Sequence, residues 1–154
     1  FLNGNENACT PEMFVRYAQI AALMPVMQFS ASPWRVLPEA DFQKVKDALA
    51  LREKCLPEIL KAVENAKATG EPIARSMEFV FPGQGMERVM DQFMVGDALL
   101  VAPVWKQGEV VRSVTLPEGQ WRCVGLGETE GDVLNGGRDV VLGENDGLVV
   151  LRRE

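Results

Sequence analysis

Twenty-two carboxylates and not one histidine define the chemistry open to this sequence. Without histidine there is no Ser-His-Asp or Cys-His catalysis and no His-based zinc site within the chain. Neither a GxGxxG turn ahead of a helix nor a GxxxxGK[ST] loop is present, so no phosphate cradle is encoded. What remains is acid–base or nucleophilic work by Asp and Glu, or no bond-breaking at all. Asp91 and Asp97 lie six residues apart around the apolar "QFMVG", where turns and caps account for both. Glu6 and Glu12 flank a helix start, and Glu12 complements the helix dipole there. Glu78 falls in a strand pattern, with Arg75 or Arg88 as its expected ion-pair partner. No two of these carboxylates stand as a catalytic pair. The residues therefore predict no catalytic dyad, no metal site and no cofactor.

One stretch offers binding rather than bond-breaking. "MPVMQFSASPWRVL" begins as an apolar run of strand length, turns polar and small, and then reads Pro-Trp-Arg. It is either a buried strand delivering side chains to a pocket or a core strand running into a loop.

The elements that must position these residues fall into two regimes that change near Gly70. In "TPEMFVRYAQIAAL", Thr10 is a good N-cap and Pro11 suits the first helical position. Met13, Val15, Tyr17, Ile20 and Leu23 supply a broad apolar face, and Pro25 stops the helix. "VMQFS" is a short strand candidate. From Phe42 the apolar positions Val45, Leu49, Leu56, Ile59, Leu60, Val63 and Ala66 step by threes and fours, as an amphipathic helix requires. Pro57 inside that pattern predicts a bend near Glu53, and Gly70 with Pro72 ends the helix. Beyond it, short strands are predicted at 73–79, 98–105, 110–116, 120–125, 138–142 and 148–152, separated by glycine-bearing turns. Within "VVRSVTL", Val110, Arg112, Val114 and Leu116 share one face. Helices followed by strands, without regular alternation, point to an α+β chain ending in a small antiparallel β-sandwich. Trp105 and Trp121 are expected to pack that sandwich, and the seven methionines to fill core gaps.

Composition narrows the partners. A formal net charge of −6 with scattered basic residues argues against nucleic acid, and no apolar run approaches the roughly 20 residues of a membrane span. Cys9, Cys55 and Cys123 have no paired spacing and read as unpaired thiols of a reducing, cytoplasmic-type compartment. The chain opens on Phe1 rather than methionine, which suggests a piece of something longer.

Four stretches, in order, resemble glycoside hydrolase family 31. They are "TPEMFVRYAQIAALMPVMQFS", "ATGEPIARS", "DQFMVGDALLVAPV" and "LPEGQW". Glu12, Arg16 and Tyr17 take the Glu, Arg and Trp places of a helix near the end of the family's barrel, and Ser76 replaces its usual proline. Most α-glucosidases of the family carry Arg-x-His at the end of the last barrel strand. Here those places hold Gln28, Phe29 and Ser30, a form similar to the myogenesis-regulating glycosidase branch. That likeness is associated with α-galactosidase-type activity, so the resemblance implies an α-glycosidase of the α-glucosidase or α-galactosidase type.

The resemblance implies a layout as well. Residues 1–70 would be the last helix-strand-helix portion of a (β/α)8 barrel, and residues 71–154 the β-sandwich domain beyond it. A whole barrel takes about 250 residues. The family's Asp nucleophile and Asp acid/base would lie upstream, leaving this chain inactive alone. Segment 24–29 would be the last barrel strand, with its carboxyl end at the substrate. An indole is a platform for the apolar face of a pyranose, and amide and hydroxyl groups bond sugar hydroxyls. Gln28, Ser30 and Trp34 are therefore the substrate-binding candidates. The alternatives are that Trp34 packs on the long helix and Gln28 satisfies a backbone group. Arg35 reads as a surface residue, Arg16 as a structural ion-pair residue, and Asn3 and Asn5 as turn formers. The partner would be a carbohydrate, met through the full-length enzyme. Helix faces cut off from neighbouring barrel units would make the isolated chain self-associate. A non-catalytic carbohydrate-binding or structural β-sandwich module is the alternative.

Overall fold

The computed structural model describes residues 9–109, 111–125, 130–142 and 148–154. Helix α1, Pro11–Ala22, starts at Thr10, whose Oγ1 accepts the Met13 amide at 3.2 Å. One turn of helix follows, α2, Pro33–Val36, and then α3, Glu39–Thr69. Helix α3 runs unbroken through Pro57 and stops at Gly70, whose φ of 80° is left-handed. A residue with a Cβ resists that conformation, which is why glycine closes the helix.

After α3 come β1 (Ala74–Ser76), α4 (Met77–Val80), a 3-10 turn (Met86–Arg88), β2 (Phe93–Val95) and β3 (Leu99–Pro103). The remaining strands are β4 (Arg112–Leu116), β5 (Gln120–Cys123), β6 (Val133–Asn135), β7 (Arg138–Leu142) and β8 (Leu148–Arg153). Strands β1-β2-β3-β8-β5-β6 form one antiparallel sheet, and β4 pairs with β7 in a second.

The period of two along a strand explains the layers. Leu99 and Val101 of β3 and Val150 of β8 face α3, against Leu51, Cys55, Ile59 and Ala62. Their neighbours Leu100, Ala102 and Leu151 face the other way, onto Val114 and Leu116 of β4 and onto Trp121. Strand β3 is thus buried on both faces, while β4 shows the alternation expected of a half-buried strand, with Arg112, Val114 and Leu116 buried. Helix and sheet share one apolar core, clamped at its edge by Arg152 on Glu58 at 2.6 Å.

Several expectations need correction. Segment 24–29 pairs with no strand among the described residues. A strand is held by the ladder of a neighbour, and the sheet in this chain offers it none. The strand expected at 73–79 ends at Ser76, because the Ser76 Oγ accepts the Phe79 amide and starts α4. Strands β2 and β6 stand where none was predicted. Trp121 is fully buried, with its Nε1 donating to the Pro117 carbonyl at 2.9 Å, but Trp105 is 58 % exposed and does not pack the sheets. Arg75 pairs with Glu71 and Asp97 rather than with Glu78, and Asp91 pairs with Arg112 at 2.7 Å. Met90 is 87 % exposed and fills no core gap, and Met13 is likewise exposed. The three cysteines are free, Cys55 and Cys123 buried and Cys9 partly so. Val110 and residues 1–8, with Asn3, Asn5 and Glu6, lie outside the described residues. None of the described helices is long and apolar enough to cross a membrane.

Candidate functional site

The rim segment is anchored from below by α1 and α3. Val15 and Ala18 of α1 pack with Val45 of α3, and Phe14, Met27, Phe29 and Leu37 close over them. The rings of Phe14 and Phe29 lie parallel, 6.1 Å between centroids. Although 24–29 has no ladder, its side chains still alternate. Met27 and Phe29 turn inward, and Gln28 and Ser30 stand exposed. Extended backbone pinned by two apolar side chains on one side leaves the intervening ones on the other.

Gln28 and Ser30 line a common pocket with Cys9, Phe14, Tyr17, Phe29 and Ala31. Its internal volume is about 40 Å³, room for little more than ordered water. It presents an amide, a hydroxyl, a phenol, a thiol and two phenyl rings, and among the described residues no carboxylate lines it. At its mouth such a surface can offer hydrogen bonds and ring contact to one edge of a polyhydroxylated molecule, but no acid–base pair among the described residues stands in it to cleave one.

Trp34 is not among the lining residues. It projects from the one-turn α2 and is 66 % exposed, so it does not pack against α3 as an alternative reading had it. Pro33 is buried beneath it and sets the start of that turn, and Arg35 is exposed. Two of the three predicted side chains therefore come together, and the third stands apart as a free indole.

Three contributors escaped the sequence reading. Phe14 and Tyr17 reach the pocket because residues three apart share a helix face. That spacing was visible, but it served equally for a core stripe. Arg52 of α3 donates to the carbonyls of Ala22 and Met24 at 2.6 Å each and of Pro25 at 3.1 Å. No local signal marks it, since its partners lie 27 to 30 residues away.

Helix α1 is tied to the loop after β3 as well. The Glu12 carboxylate accepts the Gly108 amide at 2.8 Å, and Arg16 donates to the Glu109 carbonyl at 2.8 Å. Arg16 also stands 3.7 Å from Glu12, so it is the structural residue expected, although it bonds the β half of the chain. Exposed Trp105 in that same loop borders a groove with Met90, Asp91, Gln92, Phe93 and Pro103, and Lys106 covers its ring at 5.3 Å. Among the described residues no three Cys, Asp or Glu side chains cluster to hold a metal ion.

Comparison with known proteins agrees with this architecture. Residues 70–142 match the family described as "Glycosyl hydrolase family 31 C-terminal domain". The chain is 39 % identical over 112 residues to the myogenesis-regulating glycosidase of Mus musculus, covering 72 % of this chain and 16 % of that protein. It is 30 % identical over 148 residues to an α-glucosidase of Saccharolobus solfataricus, covering 92 % and 20 %. Its fold superposes on a cycloalternan-forming enzyme from Listeria monocytogenes, solved with a pentasaccharide substrate, with a TM-score of 0.86 at 28 % identity. That match covers 97 % of this chain and 15 % of the enzyme. An α-xylosidase from a soil metagenome, complexed with xylose, aligns with a TM-score of 0.81 at 27 % identity over 96 % of this chain and 25 % of its own. The chain thus spans only 15 to 25 % of the length of these four proteins.

Proposed function

Because the chain belongs to glycosyl hydrolase family 31 as part of its C-terminal region, we propose that it works as the closing piece of a retaining α-glycosidase. In this reading residues 1–70 end the catalytic barrel and residues 71–154 form the β-domain that braces it. Gln28, Ser30 and Trp34 contribute to the sugar-binding rim. The observation that carries the reading is the pocket: Gln28 and Ser30 meet in a site with polar donors and ring walls and, among the described residues, no carboxylate. Retaining glycoside hydrolysis needs two carboxyl groups about 5–5.5 Å apart, one as nucleophile and one as acid and then base. A rim of this kind binds the sugar, while those two groups come from chain outside this segment. The isolated chain is then catalytically silent.

The test is direct. The isolated chain and the longer protein that contains it are assayed on p-nitrophenyl α-glucoside and α-galactoside. Turnover by the longer protein alone is expected, with the α-galactoside the better substrate because Gln28 and Ser30 replace the Arg and His of plain α-glucosidases. Turnover by the isolated chain refutes the reading.

Isolated, the chain is proposed to self-associate. Met13, Tyr17, Val26, Leu60 and Met90 are each about half exposed or more, a large apolar load for a 154-residue chain. Sedimentation at micromolar concentration is expected to show a dimer or larger species, and a monomer there defeats this part. The exposed indoles of Trp34 and Trp105 favour a second reading, a carbohydrate-binding module without chemistry. Sugar binding by the chain, with no turnover by the longer protein, selects it.

A further inference from the structure

We propose that Arg52 is a positioning residue for the rim. One guanidinium on α3 gathers three backbone carbonyls where α1 ends and thereby sets where the chain carrying Gln28, Ser30 and Trp34 departs. The inference rests on the rim reading above.

A helix end leaves its last carbonyls without partners. In α1 the Ile20 and Ala21 carbonyls accept the Leu23 and Met24 amides at 3.2 and 3.0 Å. Continuing the helix would have brought the residue-25 amide back to Ala21, but Pro25 has none. The chain must turn away here, and the Ala22, Met24 and Pro25 carbonyls all need a donor within four residues. Arg52 supplies it, Nη1 to Ala22 and Met24 at 2.6 Å each and Nη2 to Pro25 at 3.1 Å. The planar fork of arginine fixes the relative places of its acceptors, whereas a lysine ammonium is a point charge on a flexible stem. Arg52 is not among the residues lining the Gln28–Ser30 pocket. It acts through the backbone, three residues upstream of Gln28.

The experiment has two arms. In the isolated chain, chymotryptic cleavage after Phe29 and exchange of the Leu23 and Met24 amides are followed in Arg52→Lys and Arg52→Gln. Both variants keep a polar stem and some donors, so folding is retained. Acceleration on the order of tenfold is expected, the effect of one charged hydrogen bond lost, with the amides of β3 and β8 unchanged. In the longer protein, KM is expected to rise by about the same factor while kcat holds, because uniform binding is lost rather than transition-state chemistry. A merely structural role would lower the yield of active enzyme and leave KM alone. Unchanged cleavage and exchange overturn the proposal. So does faster cleavage with an unchanged KM, when Gln28→Ala or Trp34→Ala raises KM. If those rim variants leave KM unchanged too, the rim reading has failed, and this inference with it.

Discussion

Gly136 should be the least replaceable glycine among the described residues, and the reason is space rather than backbone angle. A Cβ built there would lie 2.8 Å from the Pro117 carbonyl carbon and 3.1 Å from Trp121 Nε1, with the Pro117 oxygen closer still. None of these atoms can retreat cheaply. The Pro117 oxygen accepts the Trp121 indole, Gly136 donates to the Gly119 carbonyl at 2.8 Å, and Gly137 donates to Leu116 at 2.9 Å. Trp121 itself is fully buried, its ring set edge-on to Phe81 at 6.0 Å. Relief therefore requires opening the contact between the 117–119 turn and the 136–137 turn, or losing the indole hydrogen bond. Overpacking of a tight site costs about 1–3 kcal/mol and sometimes more, and the rigidity here places Gly136→Ala near the top, at about 3 kcal/mol. For a chain of this size that corresponds to a fall in Tm of roughly 6–12 °C.

Gly70→Ala is the matched control. Gly70 has a left-handed φ of 80° and nothing within 4 Å of a built Cβ, so it carries the conformational cost alone, about 1 kcal/mol. Both variants are unfolded in urea and followed by tryptophan fluorescence and circular dichroism. Gly136→Ala is expected to lose about three times the stability of Gly70→Ala. Combining it with Trp121→Phe should cost less than the sum, since both act on the Pro117 carbonyl. A loss for Gly136→Ala no greater than for Gly70→Ala would refute the steric argument.

Three further outcomes are expected. Burial pushes the Cys55 thiol up to about 11, the nearby Glu58 carboxylate adding to the effect while Arg152 and Lys54 oppose it. At pH 8 a thiol reagent should therefore label Cys9 first, and Cys55 only on unfolding. Because the folded value is raised, stability from the neutral thiol is complete below the ordinary thiol range. It is lost as pH climbs toward 11, so alkaline unfolding of the chain should sharpen in that window. The Arg122 guanidinium holds the Glu154 carboxyl below its usual range, chiefly by a hydrogen bond at 2.6 Å. A depressed carboxyl favours the fold above its unfolded pKa and gives that up as pH falls through the folded value. A carbon-detected NMR titration should show the Glu154 midpoint return to normal in Arg122→Gln. Finally, Arg75 is buried and joins Asp97 at 2.5 Å, Glu71 at 3.0 Å and the Pro72 carbonyl at 2.7 Å. Arg75→Met should cost about 2 kcal/mol in urea unfolding, the worth of charged hydrogen bonds after both half-exposed acids rehydrate.

Local chemistry made much of this fold legible. Thr10 and Pro11 start α1 as an N-cap and a proline at N1 should, and Gly70 ends α3. Strands β4, β7 and β8 stand close to where alternation and glycine turns placed them. The short strands β2 and β6 escaped because three residues carry too little periodicity to separate from a loop. Trp105 was misread because an aromatic at the end of a predicted strand looks like core until the strand is known to stop at Pro103. At the site, the polar residues Gln28 and Ser30 were visible, as was the tryptophan beyond them. That Gln28 and Ser30 share a pocket and Trp34 stands outside it was not.

Residue types and spacing by themselves settled the absence of histidine chemistry, the change from helices to strands near Gly70, and the family likeness of "DQFMVGDALLVAPV". Those are properties of short windows, where each residue's preference acts on its own neighbours. Tertiary structure alone decided that 24–29 finds no strand partner among the described residues, that α3 covers one face of the sheet, and that Arg52 holds the end of α1. Each of these turns on residues some 20 or more positions apart. Their pairing is governed by which apolar faces bury each other and which carbonyls still lack a donor, and neither is written in any local pattern.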